Sequence, residues 1–509
     1  MEDTIEVAPQ QAKTANEETQ VQSSQREPTA IELLEIAGER LPVNSAVIDF
    51  EGPDDELDPH NWTVKKKVFT FFLVSFATMV VSMTSSIFST VIPVLEKTYD
   101  IGKVVCSLGI AVYVLGFATG PLIWAPISEI FGRRIPYMLS MLGFTLFAFG
   151  TAASNNIVAV FVCRFFAGFF GACPFTLSGA ICSDMLSPQA FTFSMVGFGI
   201  TVFSGPLLAP MIGGFIVMNE NLGWRWTHYL AGILGVVSFV SVFLFLDESY
   251  HPSILVWKAR NLRRDTGNRD IHAKHEEVKL NVKTIIRDYL TIPLKLLGRD
   301  LIILCVCVFG AFVYGLLYLF LTAYPVIFQG VHGMNPGVGG IPFIAVIIGQ
   351  ILAGILMYLR QLTLTRKMQE NINELVPEWL LLAAIPGSAA FAAGLLWLGW
   401  SGYSPATHWI VPTLSGILTG FGLITMFLPS VQYVALVRRN RAASALAAHT
   451  FLRSLAGSCF PLFAPDMFKT LGVQWSLTLL GCIAACMIPI PVFLYIYGAR
   501  MRAMSRLQL

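Results

Sequence analysis

Apolar runs long enough to cross a lipid bilayer alternate with short polar breaks along most of this 509-residue chain. Crossing the hydrocarbon core takes roughly 20 apolar residues in a helix. Six such runs, at about 68–95, 104–127, 135–151, 157–183, 191–217 and 228–246, precede a long polar segment at about 247–300. Six more follow, at about 301–328, 338–359, 379–400, 409–437, 443–467 and 473–498. Barrel strands would be shorter and would alternate, and a backbone in lipid must satisfy its own hydrogen bonds. The pattern predicts an all-α membrane protein of twelve transmembrane helices in two pseudo-symmetric six-helix bundles. The expected division is an acidic, disordered tail at 1–60, bundles at 61–247 and 301–499, a central loop at 248–300 and a basic end at 500–509.

Composition agrees with lipid as the solvent. Hydrophobic residues make up 55% and charged residues only 13%, too few to cover a water-facing surface. The net charge of +2 hides an asymmetry, since residues 1–60 hold 15 acidic residues against three basic ones. That tail is poor in aromatics and reads as disordered.

The loops give orientation. Twenty-five Lys and Arg lie in the even-numbered loops and the flanks of the termini, against four (Lys97, Lys103, Arg225 and Lys469) on the other side. Both termini are therefore expected in the cytoplasm, which fits an even number of spans. The sequon Asn61-Trp62-Thr63 falls on that side and should stay unmodified. Basic residues scattered in short loops exclude nucleic acid as a partner. All nine cysteines sit in apolar runs without metal-ligand spacing and read as packing residues. The chain has no phosphate-binding loop and no nucleophile–base signature, so an enzyme is not expected.

Four stretches carry chemistry. The loop after span 2 reads Gly120-Pro-Leu-Ile-Trp-Ala125-Pro-Ile-Ser-Glu129-Ile-Phe-Gly132-Arg133-Arg134. Gly132 permits a tight turn, and Asp184 at the end of span 4 is the natural partner for Arg133. Span 4 carries Arg164, which must face a cavity or a partner because an arginine in lipid is costly. Gly168 and Ala172 follow at a spacing that lets a neighbouring helix approach. In span 5, Gly205, Ala209 and Gly213 share one helical face, with Gly214 beside it, while Pro206 and Pro210 kink the helix. Pro461 and Pro465 stand at the same place in span 11, a weak internal repeat. The fourth stretch pairs Gly223-Trp224-Arg225-Trp226 with the span 11 sequence that holds His449 and Arg453.

Together these motifs resemble the major facilitator superfamily, and more narrowly the twelve-span fungal drug:proton antiporters, the polyamine and multidrug exporter branch. The resemblance covers about residues 58–505. It implies that Glu129, Arg133 and Arg134, with Asp184, hold the two halves together at the cytoplasmic face. It implies a proton-transfer role for Arg164, and it associates the Gly205–Gly214 pattern with export in exchange for protons. Ala125 and Ile130 depart from the widest form of the loop motif, as is usual for the fungal branch, while the stretch Leu186–Phe191 and Trp379 stand where the family commonly has an arginine, so a thinner charge network between the halves is expected.

The expected function is a secondary active exporter of a small amphipathic organic compound (a drug, toxin, secondary metabolite or polyamine), driven by the proton gradient without a cofactor. The alternative is a facilitator or proton symporter importing a nutrient such as a vitamin or organic acid. A membrane receptor or enzyme without a transport cycle is a third class. The partners expected are a small-molecule substrate, protons and the lipid bilayer. The protein is expected to be a monomer, in the plasma membrane or else the vacuolar membrane. Asp466 is the sole acid inside a span, and it lies toward the outer end. Arg453 and the titratable His449 are further coupling candidates. Spans 1, 2, 4, 5, 7, 8, 10 and 11 should line the cavity, with Phe88, Tyr113, Tyr314, Tyr318, Gln350, Phe427 and Gln432 as candidate lining residues.

Overall fold

The computed structural model describes residues 47–277, 282–370, 376–438 and 442–506. The acidic stretch 1–46, the basic loop residues Arg439 and Arg441, and the last residues 507–509 lie outside the described part.

Eleven described stretches are long and apolar enough to cross a membrane. We label the first ten α1 (Val64–Thr90), α2 (Lys103–Phe131), α3 (Arg134–Ala153), α4 (Ile157–Met185), α5 (Pro188–Met218), α6 (Arg225–Phe245), α7 (Leu301–Val331), α8 (Val338–Thr363), α9 (Glu378–Gly402) and α10 (Ile410–Val437). The eleventh, Ser444–Arg502, has 59 residues. As one helix it would extend roughly 88 Å, about three times the hydrocarbon thickness. Gly472 interrupts it with φ of 73° and ψ of 174°, a backbone conformation that glycine adopts without strain. The segment is therefore two crossings, α11 (442–471) and α12 (473–506), and the total among the described residues is twelve.

The side-chain distribution is that of a protein in lipid. Leu146, Ile233, Phe243 and Ile355 are exposed, while Thr78, Ser82, Thr84, Ser85 and Ser86 of α1 are buried. Several of these hydroxyls bond back to their own helix, as Thr78 does to the Val74 carbonyl at 2.7 Å and Thr84 to Val80 at 2.7 Å. Each such bond satisfies a hydroxyl that lipid could not.

In the first half α1 packs on α5 and α6, α3 on α4 and α6, and α2 on α4. In the second half α7 packs on the 442–487 segment, and α10 packs on both α8 and α9. The halves meet where α5 lies along α8 and where α2 lies along the 442–487 segment. Small residues set these distances. A Cβ on Gly168 of α4 would stand 2.0 Å from the Tyr113 carbonyl oxygen of α2, and one on Gly420 would stand 2.0 Å from the Val346 carbonyl oxygen.

The central polar segment is more ordered than a loop. It contains helices His251–Thr266 and Val282–Arg299. The expected disordered tail also needs correcting at its end. Residues 47–61 form a small separate unit with 255–277. Val47–Ile48 pairs in parallel with His272–Ala273, and Lys258 bridges Glu51 at 2.9 Å and Asp55 at 3.3 Å. This charged stretch is held by backbone pairing, one shared lysine and a small apolar cluster of Ala259, Ile271 and Ala273 with Ile48, Leu255 and Leu262.

Candidate functional site

The middle of the helical unit is an aromatic core with two arginines in it. Arg164, 1% exposed, donates three hydrogen bonds to backbone carbonyls: Nε to Gly109 at 2.9 Å, Nη1 to Thr84 at 2.7 Å and Nη2 to Ser85 at 2.9 Å. The helix of α1 loses its regular ladder here. Phe88 bonds back to Ser86, and a tighter turn follows at Phe88–Thr90. Arg164 takes up the carbonyls of that irregular turn. Its guanidinium also lies 4.7 Å from the centre of the Phe88 ring and 4.4 Å from that of Tyr113. An arginine at the membrane centre costs about 2.5–3.5 kcal/mol or more. Three charge-assisted hydrogen bonds, each roughly 1.5–3 kcal/mol, offset that cost.

Arg453 is held differently. Its guanidinium lies 5.0 Å from the centre of the Tyr314 ring and 5.2 Å from that of Phe427. Its enclosed Nε has no acceptor. Cation–π contacts contribute about 0.5–2 kcal/mol each, less than the carbonyl set of Arg164 supplies. One turn earlier, His449 is 1% exposed and its Nε2 is also without a partner. The imidazole packs against Phe427 at 5.7 Å between ring centres and close to Gly310.

A chain of contacts links the arginines across the two halves. Arg164 bonds the Ser85 carbonyl, and the Ser85 hydroxyl meets the Tyr318 hydroxyl at 2.9 Å. The Tyr318 and Tyr314 rings are 5.3 Å apart, and Tyr314 lies under Arg453. Phe203 of α5 packs on Phe427 at 4.7 Å and on Tyr314 at 6.1 Å. Nearby, Ser204 bonds Gln350 Oε1 at 3.2 Å, while the Gln350 amide nitrogen has no partner.

Of the candidate lining residues, Phe88, Tyr113, Tyr314, Tyr318, Gln350 and Phe427 are thus buried in or beside this core. Gln432 is not with them. It lies with Arg360, Trp379 and Thr192 in a small recess nearer the basic end of α10. Asp466 is exposed toward the other end of α11, and its backbone carbonyl accepts from Thr470.

The basic ends hold a set of ion pairs. Arg133 Nε bonds Asp184 Oδ2 at 3.2 Å and Arg133 Nη1 bonds Ser128 at 2.8 Å. Gly132 makes the turn with φ of 81°. Glu248 receives the backbone N–H groups of Arg133 at 2.8 Å and Arg134 at 3.1 Å, capping α3. The Arg134 side chain reaches the Phe243 carbonyl at 3.1 Å, and Glu129 is exposed. In the second half Asp300 caps α7 through Ile302 and Ile303 and pairs with Arg438. Glu378 receives both Nε and Nη2 of Arg502 at 2.9 Å.

Sequence reasoning missed Glu248, the Asp300–Arg438 and Glu378–Arg502 pairs, Ser85, and His228, which is buried between Phe88 and Trp224. Asp300 carried a signal, an acid directly before an apolar run. The others depend on contacts between distant segments.

The α5 motif sits where two helices must come close. A Cβ on Gly205 would stand 2.1 Å from Ser82 Oγ, and one on Gly213 would stand 2.6 Å from Thr90 Oγ1, both on α1. Ala209 is buried against Met83 and Ile87. Pro206 and Pro210 lie inside the helix. Gly214 faces the second half, with the Pro336 carbonyl oxygen 2.3 Å from its notional Cβ.

Comparison with known proteins decides the family. The profile of the Major Facilitator Superfamily matches residues 74–461. The chain belongs to the major facilitator superfamily. Among its relatives is "Major facilitator superfamily multidrug transporter FLU1" of Candida albicans, 41% identical over 462 residues, which are 90% of this chain and 76% of that protein. "Multidrug transporter TPO1_2" of Candida glabrata is 42% identical over 460 residues, covering 90% of this chain and 79% of that one. The solved D-xylose-proton symporter superposes with a TM-score of 0.60 at 15% identity, over 83% of this chain and 97% of that one, a likeness of fold. The protein is a multi-pass membrane transporter of this superfamily, similar to fungal multidrug transporters, and not an enzyme.

Proposed function

We propose that this transporter exports a small amphipathic organic compound in exchange for protons, by alternating access. The observation that carries the reading is the placement of α5. It touches the second half along its length, from Phe193 against Tyr358, through Gly199 against Leu428, to Gly214 against Pro336. The contacts at Gly199 and Gly214 are about 22 Å apart along a straight helix. Pro206 and Pro210 lie between them, and each removes a backbone donor from the ladder. A helix weakened in the middle and closed at both ends can release one end while the other stays shut. The relatives' names as multidrug transporters support an amphipathic substrate.

In this reading Arg164 fixes α4 to α1 and α2, so its hydrogen bonds change as α1 moves against α5. Arg133, Arg134, Asp184 and Glu129 act at the basic end as a latch. The basic face is cytoplasmic, the halves are 61–247 and 301–499, and the protein works as a monomer in the plasma membrane. The test is flux in sealed proteoliposomes with and without a pH gradient. An amphipathic probe should move against its own gradient only when a pH gradient is imposed, and Arg164→Ala should abolish the coupling while the protein still inserts. Gradient-independent flux in wild type, or unchanged coupling in the variant, would overturn the reading.

A further inference from the structure

The charges of the core suggest what kind of molecule it takes, given the export reading above. Among the described residues, Arg164 and Arg453 are the two Lys or Arg side chains that lie away from both ends of a span. Among the described residues, no carboxylate pairs with either one. α1, α5 and α10 contain no Asp or Glu. The acids of α2 and α4 are Glu129, exposed at the basic end, and Asp184, paired with Arg133. Asp300 at the start of α7 is paired with Arg438. Asp466 is exposed, thirteen residues beyond Arg453 on the same segment, roughly 20 Å along the helix.

Arg164 has its carbonyl acceptors, whereas Arg453 lies against aromatic faces with Nε–H unanswered. His449 Nε2 and Gln350 Nε2 are enclosed and unpartnered in the same core. An enclosed guanidinium N–H without an acceptor is costly to hold, and an anionic oxygen is the acceptor that would answer it best. The rings of Tyr314 and Phe427 beside it are 6.3 Å apart and 28° from parallel, with Phe203 packed edge-on against both, an aromatic setting suited to a further ring.

We propose that the transported molecule is an aromatic organic anion, with its carboxylate or sulfonate bound by Arg453 and its ring against Tyr314 and Phe427. A polyamine or other polycation is disfavoured, because the positive charge of Arg453, without an acid partner, would repel it.

The test uses the purified full chain in proteoliposomes and three probes with one ring system and different charge: naphthalene-2-sulfonate, naphthalene-2-sulfonamide and 2-naphthylmethylammonium. Spermidine is a fourth. Each is assayed for ligand-induced stabilisation on heating and for flux driven by a pH gradient. The sulfonate should bind roughly tenfold or more tightly than the sulfonamide, the factor expected of one charge-assisted hydrogen bond, and the two cations should not compete. Arg453→Gln should bring sulfonate and sulfonamide within about twofold, while Arg453→Lys keeps most of the preference. Cations binding as well as the sulfonate, or Arg453→Gln weakening all probes equally, would overturn the proposal. The wild-type ranking decides the question even if Arg453→Gln does not fold. Anion binding without gradient-driven flux of any probe would refute proton-coupled export and leave the site standing. Driven flux without charge preference would refute the anion site and leave export standing.

Discussion

Gly168→Ala tests whether the close contact of α2 and α4 holds the Arg164 network in place. The notional Cβ stands 2.0 Å from the Tyr113 carbonyl oxygen and 2.9 Å from its carbonyl carbon, both backbone atoms that cannot rotate away. Ordinary contact begins near 3.4 Å, so the helices must separate by roughly 1.4 Å if they alone adjust. The same stretch of α2 supplies Gly109, whose carbonyl accepts from Arg164 Nε at 2.9 Å. Lengthening that bond by an ångström removes it. The cost is then overpacking, about 1–3 kcal/mol, plus one charge-assisted hydrogen bond of roughly 1.5–3 kcal/mol. Gly179→Ala is the matched control, since its nearest neighbour would be Met195 Sδ at 3.8 Å. The assay is apparent melting of the purified protein in detergent, followed by pH-driven flux. Gly168→Ala should melt well below both wild type and Gly179→Ala and should lose coupling. If both variants melt together near wild type, helix proximity does not set the Arg164 geometry.

Three further outcomes follow from the ion pairs. Asp300→Ala breaks a buried pair with Arg438 and a helix cap together, so a loss of about 3–5 kcal/mol is expected on melting, whereas Asp300→Asn, which can still cap, should lose less; equal effects would refute the cap. Glu248→Ala leaves the backbone N–H groups of Arg133 and Arg134 unanswered, at about 1–3 kcal/mol, and should raise hydrogen exchange at the start of α3, which Glu248→Gln should largely restore. At Asp55, burial pushes the carboxyl up, but the amides of Glu51 and Leu57 and the Lys258 ammonium outweigh it and hold the pKa below its ordinary value of 3.8. Its contribution to the 47–61 and 255–277 unit is therefore complete above that ordinary value and is lost as pH falls through the lower, folded one. Amide protection of Glu51 and Leu57 should persist at pH 5 and disappear only in stronger acid; loss already at pH 5 would contradict the direction.

The twelve crossings were legible because lipid imposes the simplest rule a sequence can carry, a run of apolar residues of fixed length. The helix ends were less so. Span 1 was expected to run to about residue 95, but the helix tightens at Phe88–Thr90 and a separate turn of helix follows at Ile92–Tyr99. Apolarity continues through that break, so no change of pattern marks it. The aromatic core was half legible. Tyr113, Tyr314 and Tyr318 could be nominated from their depth in the spans, and the structure brings them together under Arg164 and Arg453. Gln432 was nominated on the same reasoning and lies elsewhere, because depth along a helix does not say which face a residue occupies. The Arg133–Asp184 contact was within reach, since both ends were anchored to predicted boundaries. Arg502 with Glu378 was not, because the two are 124 positions apart and no pattern ties the C-terminal basic residues to the start of α9.

The least expected feature was legible as an absence. Counting acids inside the spans leaves Asp466 alone, and that scarcity first reads as a missing proton carrier. Geometry changes its meaning. An arginine answered by three backbone carbonyls has a structural explanation that needs no counter-ion. An arginine resting on two rings with an enclosed, unanswered Nε does not. The same scarcity of carboxylates leaves the core positive, and a positive core discriminates by charge before it discriminates by shape.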